Sequence, residues 1–230
     1  ANPSAFAAQQ LVIAHAALAD PALGSLQHDE RIARAGFDVV GASEQDTDVR
    51  LGAWRFVRQP DGAYRCTLPG RGFALAFTAR PTQPLLLQGE AGYSRKGPAS
   101  AQASYYYSQP QLDVRAELTR DGRTQSLSGR GWLDHEWSST LLAADAAGWD
   151  WVGMNLDDGT ALTAFQIRRQ GPAGEPSYGY ASLRPAGGAT RTHGPDEVRF
   201  VRRSEWISPR TRATWPVAQE LKIGDRTFVT

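Results

Sequence analysis

Residues 129–155, GRGWLDHEWSSTLLAADAAGWDWVGMN, form the stretch of the chain richest in groups that can do chemistry. It contains four of the seven Trp residues and one of the four His, with carboxyl groups between them. A surface segment does not require this density of indole rings, because each ring needs a large packing surface. Ionisable groups beside indole rings are suited to a pocket for an apolar, electron-rich ligand.

Two predicted strands position these side chains, because alternate residues of a strand point to opposite faces. In residues 130–137, one face carries Leu133, His135 and Trp137, and the other carries Trp132, Asp134 and Glu136. In residues 149–156, one face carries Asp150, Val152 and Met154, and the other carries Trp149, Trp151 and Asn155. Each strand therefore offers ionisable groups close to indole rings.

The composition is that of a folded β protein with little net charge. The 230 residues are 41% hydrophobic, which is enough for a full core. Twenty-five Lys and Arg against 24 Asp and Glu give a net charge of +1, so no overall field favours nucleic acid or an anionic membrane. The single Cys66 cannot form an intrachain disulfide, and its alternating surroundings indicate a small buried residue. No apolar run is long enough to span a bilayer, and the sequence as given shows no basic-then-apolar leader segment, which leaves open that one was removed.

Strands and turns are predicted along most of the chain. Hairpins are expected around Gln59-Pro60-Asp61-Gly62 and around Asp121-Gly122, whose Gly residues can adopt positive φ. Residues 10–17 and 49–58 are predicted to be strands, residues 24–48 a loop, and residues 138–148 a short helix or crossover between two β units. Frequent turns with little helix predict a sandwich or barrel.

Several motifs in a fixed order resemble one known family. They are GEAGYSRKGP (89–98), ASYYYSQPQL (103–112), GWLDHEWSS (131–139), GWDWVGMNLDDGTALTAFQIR (148–168) and WISPRT (206–211). The chain is similar to the carotenoid 1,2-hydratases (hydroxyneurosporene synthases) and the AttH-like predicted secreted hydrolases, from about residue 10 to its end. The first motif lacks the Gly-Lys-Ser/Thr ending of a phosphate-binding loop, so we do not assign it to a nucleotide.

The resemblance implies an all-β fold made of two antiparallel, lipocalin-like barrels. The expected units are residues 1–142 and residues 143–230, with the Trp-rich stretch at their junction. By the same resemblance, we expect the first barrel to lack the family's N-terminal strands and the second to lack its C-terminal strands.

In the hydratase branch, the resemblance implies addition of water to a terminal alkene of an acyclic carotenoid, another isoprenoid or a lipid, without a metal or an organic cofactor. Protonating an alkene requires a carboxyl group that desolvation or a second carboxylate keeps protonated near neutral pH. We assign Asp150 as this acid, His135 as the base that deprotonates water, and Trp137 as the ring that stabilises the intermediate cation. Asp134 is an orienting group or the alternative acid.

The other expected ligand contacts belong to the same aromatic region: Trp132, Trp149, Trp151, Glu136, Tyr105 and Tyr107. A structural interpretation stays open for this set. The carboxylates would then bond to Arg side chains or to backbone groups, the indole rings would fill a barrel core, and His135 would link the two barrels.

Two other functions stay open. A non-catalytic, lipocalin-type carrier would use the same aromatic residues to bind a lipid or isoprenoid, as an envelope component beside a transporter or a membrane surface. A secreted hydrolase has less support, because the chain has no Gly-x-Ser-x-Gly nucleophile elbow and the His135-Glu136 segment has no second His at zinc-binding spacing. The resemblance favours a periplasmic, secreted or membrane-associated location. In each case the expected partner is a hydrophobic small molecule rather than nucleic acid.

Overall fold

The computed structural model describes residues 10–36, 38–139, 143–170 and 176–230. Within these ranges, two short 3-10 helices lie at Pro21–Leu23 and Pro195–Glu197. The strands of the described residues are β1 (Leu11–Leu18), β2 (Gln27–Arg34), β3 (Val40–Ala42), β4 (Asp48–Leu51), β5 (Trp54–Arg58), β6 (Tyr64–Pro69), β7 (Ala74–Arg80), β8 (Leu86–Leu87), β9 (Tyr93–Arg95), β10 (Ala103–Arg120), β11 (Arg123–Trp137), β12 (Ala146–Asn155), β13 (Ala161–Arg169), β14 (Pro176–Arg184), β15 (Arg191–His193), β16 (Val198–Ile207), β17 (Thr214–Ile223) and β18 (Arg226–Val229). Their pairing is antiparallel, which confirms the expected all-β antiparallel class. No helix in this described part of the chain is long and apolar enough to cross a membrane.

One compact unit contains the described residues up to Thr82 together with Leu112–Gly131. Strands β3 to β7 pair in sequence as a meander, and β7 also pairs with the C-terminal part of β10. The core of this unit includes Trp54, Phe73 and Leu118, with Val12 contributed by β1. The buried Trp54 indole donates a hydrogen bond to the Pro69 carbonyl at 3.0 Å, so its polar group is satisfied.

The second compact unit contains Gln83–Gln111 and the described residues of Trp132–Thr230. Strands β12 to β15 form a four-stranded sheet, and β16 to β18 form a three-stranded sheet. One face of β13 and β14 buries Leu162, Ala164, Ala181 and Leu183 in a core with Val198, Leu221 and Ile223. Because side chains alternate along a strand, Trp149, Trp151, Phe165 and Ile167 lie on the other face of β12 and β13.

The N-terminal part of β10 belongs to this second unit and pairs with β8 and β9. It ends at Gln111, whose φ of 52° lies in the left-handed region. The Asn155 side chain accepts a hydrogen bond from the Gln111 backbone N–H at 2.7 Å, and the Gln111 amide donates to the Leu156 carbonyl at 3.1 Å. These bonds hold β10 against β12, so the residues preceding Gln111 have fixed positions beside the Trp-rich strand.

The structure confirms a predicted hairpin turn but not the predicted loop. Asp121 and Gly122 have φ of 52° and 72°, which confirms the two-residue hairpin. The predicted loop at residues 24–48 is wrong, because β2 and β3 lie within it. Strand β2 is rich in charged residues and so has no apolar alternation, but it pairs with β1 along its whole length. Its carboxylate Asp29 is buried and accepts hydrogen bonds from Arg71.

Two further expectations concern longer segments. The predicted strand at residues 49–58 is two strands, since Gly52 with φ of 62° makes a turn between β4 and β5. The expected helix at residues 138–148 and the expected unit boundary at residue 142 fall partly on residues 140–142, which lie outside the described residues. From Ala146 onward the chain is strand rather than helix.

Candidate functional site

A pocket of about 320 Å³ lies on the aromatic face of β12 and β13. Trp149, Trp151, Phe165 and Ile167 form its apolar walls. The residues Trp149 and Trp151 are 61% and 42% exposed, whereas Phe165 and Ile167 are buried. The polar side of the pocket comes from β10, β11 and the loop after β9: Lys96, Gln102, Ser104, Tyr106, Glu136 and Ser138. The pocket is thus apolar on one side and ionisable on the other.

Lys96 and Glu136 form an ion pair in the pocket, with 2.7 Å between Nζ and Oε1. The Lys96 side chain is only 18% exposed, and its ammonium lies 4.6 Å from the ring centroid of Phe165 and 4.8 Å from that of Tyr106. Burial lowers the pKa of Lys96, although the Glu136 and Asp134 carboxylates oppose this shift. Ser104 Oγ also donates to Glu136 Oε1, so the carboxylate has two donors on one oxygen.

The pairing of β9 with β10 brings Lys96 to this position. Arg95 pairs with Ala103, and the Lys96 backbone N–H then donates to the Gln102 carbonyl at 2.6 Å. A Cβ atom on Gly97 would lie 2.1 Å from Gln102 Oε1, so a larger residue there would displace the Gln102 side chain. The glycine-rich loop therefore places the Lys96 ammonium beside a carboxylate and aromatic rings.

Asp134 anchors a second polar group next to the pocket. Its Oδ1 accepts hydrogen bonds from Tyr106 (2.8 Å), Ser108 (2.7 Å) and the Trp132 indole (2.9 Å). The Tyr106 hydroxyl in turn accepts a hydrogen bond from the Trp151 indole at 3.2 Å. Burial, reinforced by Asp134, raises the pKa of Tyr106 well above its usual value. The phenol therefore stays protonated and donates a hydrogen bond to Asp134. This chain links the pocket wall directly to a carboxylate.

Trp132 and Trp151 are positioned by Gly153. A Cβ atom on this residue would lie 2.8 Å from both Trp132 Cε2 and Trp151 Cη2, which is closer than real Cβ contacts allow. Both rings therefore pack directly on the backbone of β12. Glycine is needed here for close approach rather than for an unusual φ.

Asp150 lies on the other face of β12 from Trp149 and Trp151. It is 8% exposed, accepts a hydrogen bond from Gln166 Nε2 at 2.7 Å, and forms an ion pair with Arg168. Asp150 does not line the pocket. The role of Asp150 as an acid stays a prediction, and its contacts in the structure are those of a buried structural carboxylate.

His135 also lies away from the pocket lining, on the opposite face of β11 from Asp134 and Glu136. Its Nδ1 is 2.9 Å from the Tyr107 hydroxyl, and its ring packs edge-on against Trp137 with 5.3 Å between centroids. Trp137 stacks on Tyr105 with 5.6 Å between centroids and lines the pocket from the end of its strand. The structure therefore brings His135, Trp137, Tyr105 and Tyr107 together as one aromatic cluster, which does not include Asp150.

Sequence reasoning missed several residues of the pocket: Lys96, Ser104, Tyr106, Phe165 and Ile167. Tyr106 was separable from Tyr105 and Tyr107 by alternation, and its small neighbours Ser104 and Ser108 were a signal of an interior face. The positions of Phe165 and Ile167 depend on the register Trp151 to Phe165 and Trp149 to Ile167, which no local pattern gives. Among the described residues, no three His, Cys, Asp or Glu side chains are grouped as metal ligands would be.

Comparisons with known proteins relate the whole chain to one family. A family model described as AttH-like matches residues 1–230. The crystal structure of a protein from Nitrosomonas europaea described as an AttH is similar at 52% identity and a TM-score of 0.92, covering 99% of this chain and 70% of that one. The kievitone hydratase of Nectria haematococca is similar at 15% identity and a TM-score of 0.73, covering 94% of this chain and 65% of that one. At that identity the second likeness concerns the fold alone, and it confirms the expected lipocalin-like class. A comparison of the sequence with curated proteins finds no match.

Proposed function

Because the chain belongs to the AttH-like family, and because its second unit has carboxylates beside an indole-lined pocket, we propose that it is a hydratase-like enzyme. It would add water to a carbon–carbon double bond of an apolar ligand, with acyclic carotenoids or shorter isoprenoids as the substrate class. The observation that carries this proposal is the position of Glu136. Its carboxylate lines the same pocket as Trp149, Trp151 and Phe165.

The aromatic walls supply the binding energy. Burying an isoprenoid chain against indole and phenyl rings is favourable at about 25 cal/mol per Å² of apolar surface. Ligand binding also covers the exposed indole rings of Trp149 and Trp151. Bound ligand also removes water from Lys96 and Glu136, which strengthens every electrostatic interaction between them.

Glu136 is the proposed acid, and Lys96 is the group that supplies its proton. Burial already disfavours the ammonium form of Lys96, and a ligand that excludes water disfavours it further. The proton then passes along the 2.7 Å contact to Glu136, which delivers it to one alkene carbon. The tertiary cation that results lies between electron-rich rings, and the carboxylates of Glu136 and Asp134 balance its charge.

Asp134 is the proposed base for the second half of the reaction. Three donors fix its Oδ1, while Oδ2 has no hydrogen-bond partner among the described residues. A water oxygen bonds to the cationic carbon and loses a proton to the Tyr106 hydroxyl, which lines the pocket and passes its own proton to Asp134. Release of that proton to solvent and uptake of one by Lys96 restore the starting state. The product is a tertiary alcohol, and the reaction is balanced by water alone.

The test is incubation with acyclic carotenoids and shorter isoprenoid alkenes, followed by mass spectrometry for a gain of one water. Glu136→Gln should lower turnover by about 10²–10⁴-fold, as loss of a general acid does, while ligand quenching of Trp fluorescence persists. Glu205→Gln is the control, since the Glu205 side chain lies on the surface in an ion pair with Arg202 at 3.1 Å. Equal turnover by Glu136→Gln would remove Glu136 from the mechanism.

A lipocalin-type carrier is the second candidate. It is favoured by the positions of His135 and Asp150, which do not converge on the pocket, and by the exposure of the two indole rings. A carrier would bind the same isoprenoids and give no product with any of them. Its affinity for them would be the same in the wild type and in the Glu136→Gln variant. Its association with a transporter or an envelope surface stays a prediction.

A further inference from the structure

The second unit has a polar interior beside the Asp134 group. Gln88, Ser94, Ser108, Thr163 and Ser182 are each 0% exposed. Ser94 and Tyr180 satisfy one another through a hydrogen bond of 2.8 Å between their hydroxyl groups. Two atoms of this interior, Gln88 Oε1 and Ser182 Oγ, have no hydrogen-bond partner among the described residues. A buried polar atom without a partner is destabilising, so both atoms require an explanation.

The hydrogen-bond directions fix which end of the Gln88 amide is left over. Ser108 has one hydroxyl hydrogen, and it donates this hydrogen to Asp134 Oδ1. Ser108 must therefore accept from Gln88, whose Nε2 lies 2.9 Å from Ser108 Oγ and also 2.9 Å from Thr163 Oγ1. Both N–H groups of the amide are then used. The remaining atom, Oε1, can only accept, so its missing partner is a hydrogen-bond donor.

The register of β13 and β14 places Ser182 close to this amide. Ser182 pairs directly with Thr163 and shares its sheet face, and Cβ atoms of such pairs are about 4.5–5.5 Å apart. Gln88, which directly follows β8, donates a hydrogen bond to the same Thr163. Gln88 and Ser182 thus flank one residue in a fully buried, polar setting. A group that both donates and accepts, placed between them, satisfies both atoms.

We propose that this interior contains a binding site for one water molecule, held between Gln88 Oε1 and Ser182 Oγ beside Thr163. Buried waters occupy sites of this kind, where several protein groups lack partners and solvent is excluded. The bound water fixes the orientation of the Gln88 amide, which in turn directs the Ser108 hydroxyl towards Asp134. The site does not depend on catalysis, so it stands whether the protein is an enzyme or a carrier.

A crystal structure of the ligand-free protein at about 1.5 Å is the direct test. Density for one water within hydrogen-bond distance of both Gln88 Oε1 and Ser182 Oγ is expected. A direct bond between these two atoms, or no density between them, would overturn the proposal. Density that appears only in crystals grown with an isoprenoid alcohol would also overturn it, since the donor would then be a ligand hydroxyl.

Thermal unfolding gives an independent test, through the sign of the change in Tm that one substitution causes. If Ser182 binds water, Ser182→Ala removes a hydrogen bond and should lower Tm by about 2–4 °C. Ser94→Ala is the matched control, because Ser94 is equally buried and has a partner in Tyr180. Both variants should lower Tm by similar amounts. A Tm for Ser182→Ala that is unchanged or raised, while Ser94→Ala lowers it, would mean that the Ser182 hydroxyl has no partner.

Discussion

Lys96 and Glu136 are joined by a 2.7 Å ion pair whose ammonium also lies over the rings of Phe165 and Tyr106. An ammonium in such a position gains from the carboxylate and from the aromatic faces, but it loses hydration. The net effect is a lowered pKa for Lys96. A ligand that excludes water from the pair would therefore lower the pKa of Lys96 further.

Lys96→Met should remove one component of the pH dependence of stability. With the pKa of Lys96 lowered in the folded state, the unfolded state binds more protons between that pKa and about 10.4. The free energy of unfolding of the wild type should therefore rise with pH through this window, relative to the variant. Urea unfolding of both proteins at several pH values from 7 to 10 measures the difference. A constant difference across this range would contradict the assigned shift.

Gly153→Ala should displace both indole rings that pack on β12. The new Cβ would meet Trp132 and Trp151 at 2.8 Å, and overpacking of this kind costs about 1–3 kcal/mol. We expect a lower free energy of unfolding, an altered Trp emission spectrum and weaker ligand binding. Gly129→Ala is the control, since nothing lies within 4 Å of a Cβ atom there. Equal emission spectra for wild type and Gly153→Ala would show that the rings do not rest on this glycine.

Asp150→Asn should affect stability more than activity. The substitution leaves the largely buried Arg168 guanidinium without its counter-charge, at a cost of about 1–3 kcal/mol. Turnover per folded molecule should be unchanged, because Asp150 faces away from the pocket. Asp145→Asn is the control, since Asp145 pairs with Arg169 at 3.6 Å on the surface and should change stability by less than about 0.5 kcal/mol. Loss of turnover without loss of stability in Asp150→Asn would instead support its assignment as the acid.

Cys66→Ala should flatten the alkaline pH dependence of the first unit. Burial raises the pKa of the Cys66 thiol to about 11 from a usual value of 9.0. Between these values the unfolded state loses its proton first, so wild-type stability should fall with rising pH, by about 2–3 kcal/mol in total. Subtracting the variant's free energy of unfolding at each pH isolates this component. Rapid reaction of the native thiol with iodoacetamide at pH 8 would contradict the assigned burial.

The sequence by itself determined much of the local structure. Asp121-Gly122 specified a hairpin because both positions need positive φ, and alternation correctly placed Trp132, Asp134 and Glu136 on one face of β11. It also indicated the family, because five motifs in a fixed order are more specific than any one of them. Strand β2 was not predicted, because its many charged residues leave no alternation of apolar and polar side chains in the sequence.

Only the tertiary structure decided which faces meet. Alternation separates Trp149 and Trp151 from Asp150, and Tyr106 from Tyr105, but it does not say which set lines a pocket. That choice is made where β12 pairs with β13 and where the loop after β9 turns Lys96 towards Glu136. The physical reason is that a strand's period is local, whereas a site depends on contacts between residues as far apart in the sequence as Lys96 and Phe165.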